Sequence, residues 1–440
     1  MKQNDTIFAP SNQYKSAIKI IRISGNRAKK IPDIFNFKKL KPRTFEVRKL
    51  TYKNKIIDHV PVVWLPGNRS FTGEDTMEIY IHGSLAVENL IYKILLSFKY
   101  FRLAEPGEFT KRAMLNGNID LVQAESINDI INAQTEKQLD IAQSQLEGSL
   151  SKVLNDWRVE LINLSSFIES LIDFSDEDLP KQVTCEFWIK LEKVMKKIRI
   201  SLVSAKLSSF IKEGFTVAII GKPNVGKSSL INCLTKLETS IISEIPGTTR
   251  DVIHQKIDLK GLPVTLYDTA GIRKTKNIVE KKGIDLAINV IKKSNLVLFL
   301  CDRGKFNHNY LKNKLPNYNK IKFMNIKTKI DINKNMSKSA DIEVSSKTHE
   351  GINTLLEKIY IYLSSLEPKE ISLITSERQK LHTKKAYNAL KRIKKLSITK
   401  ETELIAEELR LASKYISNIT SFIDNEEVLD KIFSNFCIGK

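Results

Sequence analysis

Hydrophobic periodicity changes three times along this chain, and each change marks a new kind of element. Up to about residue 117, short β-branched stretches prevail. Ala17–Ile23 alternates imperfectly, Phe45 to Leu65 reads as a hairpin pair, and Thr76–Ile81 reads as a further strand. A helix is expected near Leu85 to Phe98, so this part is α+β. From Ile119 to about Lys212, apolar residues recur at spacings of three and four. They run through Leu146, Leu150, Val153, Leu154, Trp157, Leu161, Leu164 and Phe167, the pattern of long helices with a buried stripe. Pro180, after the acidic stretch Asp173–Asp178, separates two of these helices. Residues 214 to about 364 alternate strand and helix, with strands at Thr216–Ile220, Val264–Tyr267, Asn295–Cys301 and Ile321–Ile326. That alternation predicts a doubly wound α/β sheet. Beyond Pro368 the helical pattern returns, clearest over Leu404–Ala412. Helices on both sides of an α/β unit predict that the unit is inserted into one bundle.

The α/β stretch carries the chemistry. Gly221 to Ser228 fits the pattern GxxxxGK[ST], with Asn224, Val225 and Gly226 in its interior. Glycine is needed there because only a backbone free of Cβ crowding can wrap its N–H groups around phosphate oxygens. Lys227 is placed to reach the β/γ-phosphates and the Ser228 hydroxyl to ligate Mg²⁺. Ser229 opens an amphipathic helix whose N-terminus favours anions. Asp268, Thr269, Ala270 and Gly271 follow a strand, so the Asp268 carboxylate emerges at the sheet edge near Mg²⁺ and the Gly271 N–H can approach a γ-phosphate. Thr328, Lys329, Ile330 and Asp331 complete the set. Asp331 can accept both Watson–Crick-edge donors of guanine, which adenine cannot supply, and Lys329 lies along the base plane. Together the segments predict a GTP site.

Composition bounds the rest. A chain of 440 residues, 42% hydrophobic, is long enough for two or three domains, each with its own core. Cys185, Cys233, Cys301 and Cys437 are scattered, with no CxxC and no histidine spacing that suggests zinc, so a cytoplasmic, reduced setting is expected. Met1–Asp5 carries no apolar signal region, and no apolar run approaches membrane-spanning length. A net charge of +21 fits a polyanionic partner such as RNA. It fits equally the Lys-, Asn- and Ile-rich usage of AT-rich genomes, where lysines are a solvated surface.

The ends of the chain choose among GTPases. Phe71–Asp75, Glu105–Phe109, Pro246–Asp251, Leu404–Ala412 and the closing Phe436–Lys440, in this order, resemble the MnmE (TrmE) tRNA modification GTPases along essentially the whole length. The resemblance implies four segments: a tetrahydrofolate-binding and dimerisation domain over 1–117, helical parts over 118–213 and 367–440, and an inserted Ras-like GTPase domain over 214–366. It implies a homodimer, a heterotetramer with the flavoprotein MnmG, and a one-carbon tetrahydrofolate of the 5-formyl type. The flavin and nicotinamide would belong to the partner, and no GxGxxG fingerprint occurs here. The implied product is an aminomethyl-type group, often carboxymethylaminomethyl, on C5 of the wobble uridine of certain tRNAs.

Many GTPases orient the attacking water with a glutamine after the DxxG segment. Here Ile272 stands there, and its side chain makes no hydrogen bond. The resemblance implies two substitutes. One is a K⁺ ion held by Asn224, Ser243, Ile245 and Thr248. The other is a catalytic glutamate at Glu280, which on its residues alone reads as a solvated charge among lysines. It also implies Thr249 as a Mg²⁺ ligand beside Ser228. The nucleotide-contacting set then includes Glu244, Pro246, Gly247, Ser345, Ser346 and Lys347.

Three positions depart from the family pattern. Thr328 replaces an asparagine, Pro10–Ser16 replaces a glycine-rich loop expected before the first strand, and Asn118 replaces a folate-contacting lysine. Arg22, Glu78 and Lys440 match the family's folate contacts. Cys437 is either a mobile nucleophile near the folate or a residue packed beside Phe436 and Ile438. Two other functional readings stand beside this one. A ribosome-assembly GTPase would carry a KH domain with a GxxG loop, and no glycine lies between Gly351 and Gly439. A purely structural GTP-driven dimer switch would make no chemical product.

Overall fold

The computed structural model describes residues 5–12, 16–173, 181–237, 254–268, 288–303, 306, 308–315, 318–333, 339–366, 373–420, 426–434, 436 and 439. They form two compact units, one of residues 1–128, 145–159 and 413–440 and one of 129–144 and 160–412.

The first unit is built on six strands: β1 (Thr6–Pro10), β2 (Ile18–Ser24), β3 (Phe45–Tyr52), β4 (Lys55–Leu65), β5 (Thr76–His82) and β6 (Phe101–Leu103). They lie in the order β3-β4-β5-β2-β1-β6, antiparallel except for the β1–β6 pair. The expected hairpin is β3–β4, closed by Lys53 and Asn54 at φ 49° and 62°, the left-handed geometry that matches the twist of a two-residue turn. Alternation along the strands divides the sheet's faces. Ile21, Ile23, Val60, Val62, Met77, Ile79 and Ile81 form a core with Ile91, Ile94 and Leu95 of the Leu85–Leu96 helix. Arg22 and Glu78 are register partners between those core positions and so stand on the other face. On that face Phe45, Val47 and Ile18 are exposed, and Phe45 packs edge-on against Tyr80.

Two strands of this sheet left no periodic trace. β1 is buried at all five positions, so it does not alternate, and β6 has only three residues. The Pro10–Ser16 segment therefore joins β1 to β2, and the loop expected before the first strand follows that strand instead.

The second unit holds the other sheet, β7 (Phe215–Gly221), β8 (His254–Leu259), β9 (Leu262–Asp268), β10 (Leu296–Cys301), β11 (Phe323–Lys327) and β12 (Ile342–Glu343), ordered β12-β11-β10-β7-β9-β8. All neighbours are parallel except β8 and β9. β8 and the two-residue β12 were not expected from sequence. Val217, Ile219, Val264, Leu266, Leu298 and Leu300 pack against Leu230, Leu234, Leu355 and Ile359 of the flanking helices. Chain order runs from β7 to β9 on one side and then to β10 on the other. The carboxyl ends of β7, β9, β10 and β11 thus meet at a topological switch point, where ligands of such sheets bind.

Among the helices, Ser149–Asp173 buries Leu150, Leu154, Trp157, Leu161, Leu164 and Ile168. Phe167, expected in that stripe, is only partly buried and stacks on Phe187 at 5.7 Å. Lys181–Glu213, which leads into β7, packs against the helix Glu377–Ile393. The latter starts at a capping box between Ser376 and Gln379, each satisfying a backbone N–H of the other. Ile405, Leu409, Ala412, Ile416 and Ile419 are the buried stripe of Thr402–Thr420.

Candidate functional site

The Gly221–Ser228 loop leaves the carboxyl end of β7. Gly221 is held against β10, where a Cβ would meet the Leu300 carbonyl oxygen at 2.6 Å, and Gly226 turns the chain at φ 98°. Asn224 also takes the left-handed conformation, at φ 61°, which asparagine tolerates better than most residues. Lys227 Nζ donates to the carbonyls of Gly221 (2.9 Å) and Lys222 (2.8 Å), so its ammonium lies against the loop. Ser228 and Ser229, on the first turn of the Lys227–Leu237 helix, are exposed.

Asp268 arrives from β9. Its register partner on β7 is Ile219, and its carboxylate Oδ2 accepts from Ser228 Oγ at 2.7 Å. A hydroxyl and a carboxylate in contact at a phosphate loop are hard oxygen donors of the kind Mg²⁺ takes alongside phosphate oxygens, so these residues fit the ion.

The third segment follows β11. Thr328 is buried and its Oγ1 donates to the Val225 carbonyl at 2.7 Å. Lys329, at φ 59°, donates to the Asn224 carbonyl and stands 3.9 Å from the Asp302 carboxylate. Asp331 Oδ1 accepts from Ser345 Oγ at 2.8 Å. The Ser345 hydroxyl in turn accepts the backbone N–H groups of Lys347 (3.3 Å) and Thr348 (3.2 Å), which fixes its direction. The Asp331 carboxylate is therefore aimed by a buried serine. Ile330 N–H points to the Val344 carbonyl at 3.5 Å, and Ser346 is partly buried beside Ser345. Ser243, Glu244, Ile245, Pro246, Gly247, Thr248, Thr249, Thr269, Ala270, Gly271, Glu280, Cys437 and Lys440 lie outside the described residues.

A second cluster occupies the open face of the first unit's sheet. Arg22 Nε donates to Glu78 Oε1 at 2.8 Å, and Tyr80 donates to Glu78 Oε2 at 2.9 Å. Burial, then the Glu78 charge and hydrogen bond, push the Tyr80 hydroxyl up to about 12. The Arg22 guanidinium sits 5.8 Å from the ring centres of both Phe71 and Phe109. Its Nη1 lies 3.4 Å from the Gly439 carbonyl, which it faces as donor. A Cβ at Gly439 (φ 99°) would meet the Pro10 carbonyl oxygen at 2.1 Å, so only glycine lets the backbone approach β1 this closely at that position. Asn118 does not join this cluster. Its side-chain amide donates to the carbonyls of Ser70 and Phe71, both at 3.1 Å, and so holds the loop that carries Phe71.

Behind that loop lies a charged network that periodicity could not reveal. Glu108, almost fully buried, accepts two bonds from Arg102 (2.6 and 2.8 Å), one from Arg112 Nη2 (3.1 Å) and one from the Glu105 N–H (2.9 Å). Burial raises the Glu108 carboxyl, but Arg102, the Glu105 amide and Arg112 outweigh it and hold the group below the ordinary carboxylate range. Arg112 also reaches both oxygens of Glu74, and Glu74 accepts from Ser24 Oγ at 2.7 Å. The trace of this network in the sequence was the Glu105–Phe109 motif, which carries Glu108 at the start of the Glu108–Leu115 helix. The same unit packs Phe433 and Phe436 against Met114, Leu121 and Ala124, which brings the last helix to the N-terminal sheet's own helices.

A sheet wound to both sides of β7, with that loop at its carboxyl edge, puts the chain among the P-loop GTPases. Comparison with known proteins narrows the class. Residues 121–437 match the family described as MnmE helical domain, and residues 6–118 match the one described as GTP-binding protein TrmE N-terminus. The chain belongs to the MnmE family. The tRNA modification GTPase MnmE of Fervidobacterium nodosum is 40% identical over 99% of this chain and 98% of its own. That of Cereibacter sphaeroides is 35% identical over 99% of this chain and all of its own length. Among solved structures, the G domain of the T. maritima FeoB iron transporter is 29% identical over 34% of this chain and 98% of that one, with a TM-score of 0.27. No helix among the described residues is long and apolar enough to cross a membrane.

Proposed function

We propose that this chain hydrolyses GTP in order to modify C5 of the wobble uridine in certain tRNAs, acting in the cytoplasm with the flavoprotein MnmG. One observation carries the reading beyond GTP hydrolysis: Gly439 lies against the N-terminal sheet, its carbonyl facing Arg22. A switch GTPase has no need of an arginine, a carboxylate and two aromatic rings gathered beside Gly439. A ligand with carboxylates, a flat heterocycle and hydrogen-bonding edges does. Arg22 and Lys440 pair with carboxylates, Glu78 accepts from the heterocycle's N–H groups, and Phe71 and Phe109 give its ring an apolar wall. A one-carbon tetrahydrofolate, when bound, supplies the carbon unit. Asn118 serves that site by fixing the Phe71 loop.

The nucleotide domain works through its own residues. Lys227 and the loop amides would hold the phosphates, Ser228 and Thr249 would hold Mg²⁺ with Asp268 hydrogen-bonded to Ser228, and Asp331 would read guanine. Asn224, Ser243, Ile245 and Thr248 would hold K⁺, and Glu280 would orient the attacking water. The chain divides as 1–117, 118–213, 214–366 and 367–440, in the roles given above. The exposed Phe45, Val47 and Ile18, on the same sheet face as Arg22, support a second copy of the chain as the cover of that face.

The test is mass spectrometry of tRNA wobble uridines from cells with and without the gene, repeated with an Arg22→Ala copy. Loss of the aminomethyl-type group in both altered strains is expected. Unchanged nucleosides in the deletion strain would leave only the dimer-switch reading.

A further inference from the structure

The net charge of this chain is not spread evenly. Basic and acidic side chains number 71 and 50 overall, yet from Arg378 to Lys400 there are nine Lys or Arg and no Asp or Glu. Most of this run is one helix, Glu377–Ile393. Its buried stripe, Thr383, Ala386, Ala389, Leu390 and Ile393, turns towards the unit's interior, where the helix packs along Lys181–Glu213. Lys384, Lys385, Asn388, Lys391, Arg392, Lys394 and Lys395 are all exposed. Lys384, Asn388 and Lys391 stand at i, i+4 and i+7, so they share one face.

Local stability does not explain the row. Cations near a helix C-terminus favour the dipole, which accounts for Lys391 and Arg392, but Lys384 and Lys385 lie in mid-helix. Crowding like charges along one helix opposes its formation. Neighbouring carboxylates offset part of the charge: Glu408 takes Arg392 and Glu192 takes Lys394 at 2.8 Å. Lys384, Lys391 and Lys395 have no ion pair among the described residues. The adjoining helix adds more of the same sign, with Lys193, Lys196 and Arg199 exposed on it. Lys384 and Lys391 are separated by roughly 10 Å along the axis, a span of one to two phosphates on a nucleic-acid strand.

We propose that the exposed face of Glu377–Ile393, continued by Lys394 and Lys395, is the surface on which this protein holds the sugar–phosphate backbone of its RNA. The proposal rests on the tRNA reading above and says which part of the chain meets the tRNA. Binding there is to phosphates, so it positions the RNA and reads no sequence.

The experiment measures fluorescence anisotropy of a labelled tRNA transcript with the full chain at several salt concentrations. Two triple variants carry equal charge loss: Lys384→Gln, Lys391→Gln and Lys395→Gln on the face, and Lys292→Gln, Lys293→Gln and Lys314→Gln, exposed elsewhere in the same unit. The face variant should bind about ten- to a hundredfold more weakly, with the slope of log affinity against log salt smaller by two to three. Its GTP turnover should match wild type, which shows it folded. The control variant should lose less than about threefold, a diffuse charge effect. Equal losses in both variants, or no loss in the face variant, overturn the proposal. So does binding of the wild type to phosphatidylserine vesicles with none to RNA. If the face variant alone loses RNA while wobble uridines prove unmodified in cells, this surface stands and the uridine reading falls.

Discussion

Thr328 donates its hydroxyl proton to the Val225 carbonyl at 2.7 Å, and so ties the segment after β11 to the phosphate loop. A threonine hydroxyl has one proton. Spent on Val225, it leaves the oxygen only lone pairs to offer any base bound beside it, and N7 of guanine is itself an acceptor. If Asp331 takes the Watson–Crick edge of guanine, as proposed above, residue 328 would flank the N7 side and offer it nothing.

GTP and 7-deaza-GTP should therefore bind within about threefold of each other, measured by competition with a fluorescent nucleotide. Thr328→Asn should introduce a preference for GTP, since an amide has a donor to spare. Thr328→Val should weaken all nucleotides alike, by about 1–3 kcal/mol, because the Val225 carbonyl is left buried and unpaired. A wild-type preference for GTP above tenfold would exclude this account.

Asp331→Asn should lose GTP affinity by on the order of 2–4 kcal/mol and bind xanthosine triphosphate better, since the amide presents a donor where the carboxylate accepted two. Ser345→Ala should cost less, about 1 kcal/mol, through loss of the bond that aims Asp331. Calorimetric titration distinguishes the two. Unchanged GTP affinity in Asp331→Asn would mean that another residue reads the base.

GTP turnover should depend on K⁺. Ile272 cannot orient water, and a cation at Asn224 places positive charge where the reaction shifts negative charge, a role worth roughly 10³–10⁵ in rate for an arginine finger. Replacing K⁺ by Na⁺ should slow hydrolysis more than it weakens binding. Asn224→Ala should remove the difference between the ions, and Glu280→Ala should slow turnover in K⁺ with binding nearly intact. Cation-independent rates would sink the mechanism.

Arg22→Ala and removal of Lys440 should each weaken 5-formyltetrahydrofolate binding at least tenfold and leave GTP affinity unchanged, because they lie in a different unit from the nucleotide loop. Equal folate affinities in wild type and both variants would take the ligand away from this cluster.

Glu108→Gln should lower the melting temperature of the N-terminal unit at neutral pH. A charge-assisted bond to a buried carboxylate is worth about 2–4 kcal/mol, or roughly 5–10 °C for a unit of this size. The sign of its pH dependence follows from the depressed carboxyl. The stabilisation is fully present above the unfolded-state value near 4.5 and is lost as pH falls through the lower folded-state value. The gap between wild type and Glu108→Gln should therefore be constant from pH 8 to about 5 and close below about 4. A gap that persists unchanged into acid would mean packing, not charge, is responsible.

The nucleotide class was legible in the sequence by itself because its chemistry is contiguous. A phosphate loop needs glycines, a lysine and a hydroxyl within eight consecutive residues, and its strand and helix are the residues on either side. Long helices and half-buried strands were legible too, since their periodicity is set by the local backbone. Contacts between distant residues were decided only by the tertiary structure. Thr328 and Val225 are 103 positions apart, and Arg22 and Gly439 are 417 apart. Nothing in the spacing of either pair says that they touch. β1 escaped because a strand buried on both faces has no alternation, and Glu108 because a glutamate on a helix start reads as a solvated first-turn charge until two arginines close over it. Sequence specifies what a residue can do; the fold decides what it has left to do it with, as the single proton of Thr328 illustrates.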